Sequence, residues 1–470
     1  MKKIFLAILM FFAINAMAQQ EQNTNTKLEA LQNEKNKTAL QQKIKVLEKG
    51  TAEDLDLLIQ YYNNDSINKA VVTKMLLKKY PDSQQARMAR MTSFLNVKGG
   101  PEEIEKSLFS MIKEFPNVNL DMEKTLVALA YAEIPDSAKA MSFINSMEDS
   151  VYKVAAISMM VEIIAQVNSS LALNIATKEL ERVKKIKNQT NLSSSLKIDP
   201  KIVYNEYINR YGKLLFNAGK DEEAYKYITE AYKTMKEKDE ELVEYYALLS
   251  SSLNGNYQEA FPVLTKAVEK GKRDIRYIKQ LRICYKNLNP GMDADAFIAS
   301  LQQRLTEQIK SNLEKMMVNE AAPDFYLTDV NGKKVTLADF KGKTIVLDFW
   351  ATWCGPCVAS FPAMQIAVNH YANDPDVKFL FIHTWENAAD PLIDAQQFLS
   401  KRNYKFDLYM DTKDPVTKRP PAITAFKAEG IPAKFIIDRN GMIRFKLEGF
   451  EGTTEAAAEE VIQMVEMARK

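Results

Sequence analysis

Two cysteines three residues apart, Cys354 and Cys357, enclose Gly355 and Pro356 in a chain of 470 residues. An apolar segment leads into them and a helically spaced segment follows, which places the dithiol at a predicted helix N-terminus. There the first-turn N–H groups and the positive end of the helix dipole stabilise a thiolate. Cys354 is therefore expected as the exposed nucleophile. Cys357, one turn inside, attacks back to release a mixed disulfide. Pro356 constrains the loop beside Gly355, and Trp353 shields it. Two other chemistries use such a pair: a structural disulfide, and half of a zinc site. Zinc takes four ligands, and the sequence supplies neither a second CxxC nor a nearby His pair.

The elements that hold this motif read as α/β. Residues 344–350 form a buried strand, and a helix runs from the motif toward Tyr371. A second buried strand, 378–382, is followed by a helix over 391–403. A short strand is expected at 406–410 and a short helix at 423–428. A hairpin, 433–438 and 442–447, and a closing helix, 453–468, complete the fold. Strands alternating with helices imply a mixed sheet covered on both faces. His383 ends the second strand, on the edge expected to carry Cys354, and is a candidate for a pH-sensitive role. The alternative is an ordinary hydrogen-bonded histidine. His370, late in its helix, reads as structural.

Residues 51–310 have another grammar. Apolar residues recur at helical spacing, broken by turn signals such as Tyr80-Pro81-Asp82-Ser83, Ile134-Pro135-Asp136 and Asn289-Pro290-Gly291, and alternating β-branched runs are scarce. The region is expected to be all-α. A small/large pattern (Ile208, Tyr211, Gly212, Leu215, Ala224, Ile228, Ala231) recurs around Ala260 and Ala294 at about the 34-residue period of tetratricopeptide repeats. Ala140, Ile144, Met147, Ala172 and Ala176 suggest an earlier pair, interrupted by the polar insertion 187–200. An irregular helical bundle is the competing reading. Cys284, in a helical segment, reads as a buried small hydrophobe.

Composition separates the same two parts. All three Trp, both His, two of three Cys and nine of 16 Pro fall after residue 317. With 63 basic and 61 acidic side chains, the formal charge of +2 argues against a nucleic-acid binder that relies on broad phosphate neutralisation. Lys2-Lys3, the apolar run 4–14 and Ala16-Met17-Ala18 have the form of a secretory signal peptide over residues 1–18. Eleven apolar residues are too few for the ~20 of a membrane-spanning helix. No cysteine follows the cleavage site to take a lipid. The expected organisation is a leader (1–18), a polar linker or frayed helix (19–50), a tetratricopeptide-like region (51–310) and an α/β domain (318–470). The expected location is a periplasm, with no membrane span in the mature chain.

The segment Val346-Leu-Asp-Phe-Trp-Ala-Thr-Trp-Cys-Gly-Pro-Cys357 resembles thioredoxin. The lead-in Ala322-Pro-Asp-Phe, Asp329-Val-Asn-Gly-Lys, Phe361-Pro362 and Gly430-Ile-Pro-Ala-Lys-Phe-Ile-Ile-Asp438 resemble the exported TlpA/ResA branch of that superfamily. The resemblance covers about a third of the chain, residues 318–470. It implies a thioredoxin-like fold, dithiol–disulfide exchange without an organic cofactor or metal, and a cis Pro432 that presents the Ile431 backbone to a substrate segment. It also places Asp348 where thioredoxin has a buried acid. Desolvation there should raise its pKa and suit it to proton exchange with Cys357; a hydrogen-bonded structural Asp is the alternative.

Two positions depart from the branch. Ser360 stands where a Glu is common, and Ala433-Lys434 stands where a Thr is frequent. The Gly-Pro dipeptide resembles reducing thioredoxins. The expectation is a periplasmic reductase of disulfides in exported proteins, with apocytochrome-type thiols implied by the family and electrons from a membrane donor. A tetratricopeptide-like adaptor whose thioredoxin domain recruits one partner is the second reading. A peroxidase is the weakest.

Overall fold

A computed structural model describes residues 26–470 apart from 96, 98, 99, 133–135, 191–198, 387 and 389. The expected leader, Ile134-Pro135 of one expected turn and most of the polar insertion lie outside the described residues. The chain divides into two compact units, Met1–Ala218 and Gly219–Lys470.

Helices from Lys37–Lys49 to Pro200–Asn217 build the first unit, and no strand occurs among its described residues. Their starts follow capping chemistry. Thr51 accepts from Asp54 N in a capping box, and Asp149 accepts from Val151 N and Tyr152 N. The Lys37–Lys49 helix buries no side chain. By contrast Ala140, Ile144, Ala172 and Ala176 are all buried, as expected for small residues where helices approach closely. An ion pair, Arg90 to Glu123, lies in this unit with both side chains almost fully buried.

Five helices open the second unit: Asp221–Thr234, Glu240–Asn254, Tyr257–Glu269, Ile275–Leu288 and Ala294–Met316. Ala224, Ile228, Ala260, Leu264, Ala294 and Ile298, the periodic positions, are buried. Cys284 is buried too, and its burial pushes the thiol pKa up.

An eight-stranded sheet follows, in the order β1-β8-β7-β4-β5-β6-β2-β3. Its strands are β1 (Glu320–Ala321), β2 (Tyr326–Asp329), β3 (Lys334–Thr336), β4 (Thr344–Trp350), β5 (Val377–His383), β6 (Leu408–Met410), β7 (Ala433–Ile437) and β8 (Met442–Glu448). β4, β5 and β6 are parallel; β7 runs antiparallel to β4, and β8, antiparallel to β7, runs in the direction of β4. The longer strands match the expected ones. β1, β2 and β3 were not legible, because two to four partly exposed residues carry too little alternation to register.

Alternation sorts the residues of β4 between two cores. Ile345, Leu347 and Phe349 face one cluster with Phe325, Ile423 and Phe435. Val346 and Trp350 face the other, with Phe361, Met364 and Val461. Asp348 has the parity of Val346 and Trp350, so it lies on the face covered by the Gly355–His370 helix.

The helices before the sheet are packed into this unit. Leu313 is fully buried in the cluster that contains Cys354 and Cys357. Thr306 Oγ1 donates to Glu459 Oε1 at 3.1 Å, and Thr453 Oγ1 donates to the Lys270 carbonyl at 2.7 Å. At Gly271 (φ +104°) a Cβ would stand 2.9 Å from Ala456 N, so glycine is required there by both space and backbone conformation. Composition changes near residue 318, whereas compact packing divides the chain at 218.

Candidate active site

Cys354 takes the N-cap position of the Gly355–His370 helix, a place usually held by Ser, Thr, Asp or Asn. Its Sγ accepts from Cys357 N at 3.3 Å. Cys354 and Cys357 are joined in a disulfide, with Cα atoms 5.3 Å apart. The Ile431–Pro432 peptide is cis, and the Ile431 carbonyl oxygen lies 3.4 Å from Cys354 Sγ. One expectation needs correction: Cys354 is only 1% exposed in this oxidised state, because its sulfur is held between the helix N-terminus and the Ile431 carbonyl. Trp353, at 45% exposure, is the open surface of the motif. Ser360 is buried and donates to the Cys357 carbonyl at 2.8 Å, so no acid stands on the helix at this place.

A family model described as the AhpC/TSA family matches residues 318–446. The thiol-disulfide oxidoreductase ResA of Bacillus cereus is 32% identical over 149 residues, which cover 32% of this chain and 79% of that protein. The ResA of Bacillus subtilis is 28% identical over 146 residues, 31% of this chain and 75% of that protein. The chain belongs to the ResA-like thiol-disulfide oxidoreductases. A crystal structure of a thiol:disulfide interchange protein of the thioredoxin family from Chlorobium tepidum is 25% identical, with a TM-score of 0.26, covering 32% of this chain and 97% of that one. This ResA-like oxidoreductase carries its redox group as a disulfide of the protein rather than as an external cofactor. The family model reaches none of the residues before 318.

Beneath the motif lies a pair that sequence reading found only by half. Asp348 is 1% exposed and Lys434 3%. In the β4–β7 register the two residues stand directly opposite each other, and Lys434 Nζ is 3.2 Å from Asp348 Oδ1. The contact is not an aligned hydrogen bond: neither carboxylate oxygen nor the ammonium has one among the described residues. Burial pushes the Asp348 carboxyl pKa up, and Lys434 pulls it part of the way back. Glu460, on the closing Thr454–Ala468 helix, is raised in the same way by burial against the pull of Lys434. Ala433-Lys434 was visible as a departure from the family pattern, yet its pairing with Asp348 was not. The available signal was that two apolar strands, TIVLDFW and AKFII, each contain one charge.

His383 pairs with Trp350 in the β4–β5 register, packs on the Trp350 ring at 4.8 Å between centroids, and is 1% exposed. Its Nε2 lies 3.4 Å from Glu386 Oε2. Thr352 Oγ1, two residues before Cys354, reaches Glu386 Oε2 at 2.8 Å and Asp394 Oδ2 at 3.0 Å. These two acids were absent from the sequence-based site. His370 is exposed and lies against Tyr371. No cluster of His, Cys, Asp and Glu suited to a metal occurs among the described residues. Nor is any described helix long and apolar enough to cross a membrane.

Proposed function

We propose that this oxidoreductase acts in the periplasm as a reductase of disulfides in exported proteins, with its helical regions holding or selecting clients. The observation that carries the reading is the position of Cys354 Sγ, between the Cys357 N–H and the Ile431 carbonyl beside Pro432. A sulfur at a helix N-terminus is stabilised as thiolate and leaves readily. The backbone at Ile431 offers an extended client segment a pairing edge.

In the reduced enzyme the Cys354 thiolate attacks one sulfur of the client disulfide. A mixed disulfide forms and the other client sulfur leaves as thiolate, taking a proton from solvent. Cys357 then loses its proton to Asp348 and attacks Cys354 Sγ. The mixed disulfide breaks, the second client thiol is released, and two electrons have passed to the client. A membrane dithiol donor restores the enzyme by the same two exchanges in reverse. The Lys2-Lys3 leader supports the location, and the Gly-Pro dipeptide supports the direction.

Replacing Cys357 with Ser stops the second exchange and should trap clients as mixed disulfides in cells. Several trapped exported proteins are expected. A single partner would favour the adaptor reading, and none would overturn the reductase. Equilibration with glutathione checks direction, since a strongly oxidising potential contradicts reduction.

A further inference from the structure

A second recess opens on the same edge of the sheet as the disulfide. It is a cavity of about 370 Å³ lined by Trp385, Arg419, Ile423, Thr424, Lys427 and Ala428 among others. Three connections fix it beside the redox motif. Thr384 N donates to the Trp350 carbonyl at 2.9 Å, so Trp385 leaves β5 next to the end of β4. Asp411 holds the Pro421–Ala425 helix at that edge: its carboxylate accepts from Ala422 N (2.9 Å), Ile423 N (3.0 Å) and Thr384 Oγ1 (3.0 Å). Ala428 stands three residues before Ile431, whose carbonyl touches Cys354 Sγ; that is at most about 11 Å of chain. Crevices outside the carboxyl ends of parallel strands are where α/β sheets bind ligands.

The lining is cationic and aromatic. Arg419 and Lys427 are exposed, and among the described residues neither forms an ion pair. Three neighbouring carboxylates are engaged elsewhere. Asp411 serves the backbone just described, Asp414 accepts from Val416 N and Thr417 N, and Glu386 is joined to Thr352. Glu429 is exposed, and its N–H donates to Glu448. Trp385 is held at φ 52°, a left-handed backbone that bulky side chains seldom adopt.

We propose that this cavity is a specificity site that takes an Asp or Glu side chain of the client, two or three residues from the cysteine under attack. The inference rests on the oxidoreductase reading and names its substrate class. An extended segment advances about 3.3 Å per residue, so a side chain at that distance from the Ile431 edge reaches Arg419 and Lys427. Its stem lies against Trp385.

Two measurements on the full-length protein test it. In the first, the oxidised protein is titrated calorimetrically with cysteine-free peptides carrying Glu, Gln or Lys at the relevant position. The Glu peptide should bind about tenfold tighter than the Lys peptide, and the R419Q/K427Q protein should lose that preference. Equal binding of the three peptides, or a preference that survives the double substitution, overturns the site. In the second, the reduced protein is given disulfide-bonded versions of the same peptides. A kcat/KM preference for Glu that collapses in R419Q/K427Q, with the Gln peptide unchanged, supports the site. Equal turnover of the Glu and Lys peptides overturns it. Absence of all turnover with binding preference intact would instead overturn the oxidoreductase reading and leave the acidic-peptide site standing.

Discussion

The helical first unit and the sheet of the second each bury an ion pair, and the two pairs are finished differently. Arg90 donates through Nε to Glu123 at 2.9 Å and through Nη1 to the Pro81 carbonyl at 2.7 Å, leaving only Nη2 without a partner among the described residues. Lys434 meets Asp348 at 3.2 Å without an aligned hydrogen bond. A buried charge that is well bonded serves structure, because removing its partner leaves an uncompensated ion. A buried carboxyl left short of donors keeps a high proton affinity instead. The first arrangement ties helices together. The second keeps a carboxyl of raised proton affinity on the sheet face that carries the disulfide, whose exchange must move protons.

Substitutions can break or sharpen this contrast. The largest effect belongs to Cys354→Ser, which should abolish turnover of any disulfide substrate while leaving the thermal transition of the first unit in place. Arg90→Met should lower stability by about 3–5 kcal/mol, since Glu123 is left buried and unpaired. The rate of exchange in the surviving folded fraction should not change, and a slowed rate there would remove the contrast. Asp348→Asn should act on the chemistry instead, slowing exchange near pH 7 by on the order of 100-fold in the folded protein.

The pH dependence of stability follows from the sign of the Asp348 shift. Its folded pKa is raised, so between the unfolded value of about 3.9 and the folded one the native state binds more protons. Stability therefore falls as pH rises through that window. Denaturant midpoints of wild type and Asp348→Asn, compared across pH, should show a steeper slope in the wild type, because Glu460 and Asp411 are raised in both.

Lys434→Met comes next in size. Lys434 opposes the upward shift of Asp348, so its loss raises the carboxyl further and moves the pH profile of exchange to higher pH. Its cost in stability should be smaller than that of Arg90→Met, because Asp348 can take up a proton. The smallest effect is expected at the exposed Arg282–Asp295 pair, where N and O are 2.6 Å apart. Arg282→Gln should change stability by about 0–1 kcal/mol, measured as a shift in thermal midpoint.

Much of the second unit's sheet could be read from the chain. β4, β5, β7 and β8 are long, apolar and bounded by turn residues, and the CGPC motif marks its helix by spacing alone. Three short strands escaped because strand character there comes from pairing: β1 with β8, β2 with β6, and β3 with β2. Asp348 was legible through its distance from Cys354. Lys434 was noticed as a substitution, but its meaning depends on a register between strands 86 residues apart in sequence. Glu386 and Asp394 lie in a loop and a helix without local pattern. Only the path of the chain brings them onto Thr352.

By itself the sequence determined the α-helical first two-thirds, the order of the main strands and the dithiol. Each of these follows from local periodicity, capping or spacing along a few turns of chain. The tertiary structure decided the rest. Through strand register it set Lys434 against Asp348, and through the cis Ile431–Pro432 bend it brought a carbonyl onto Cys354. It also joined the Ala294–Met316 helix to the core of the sheet, although composition divides them. Such pairings depend on contacts between distant segments, which no local preference encodes.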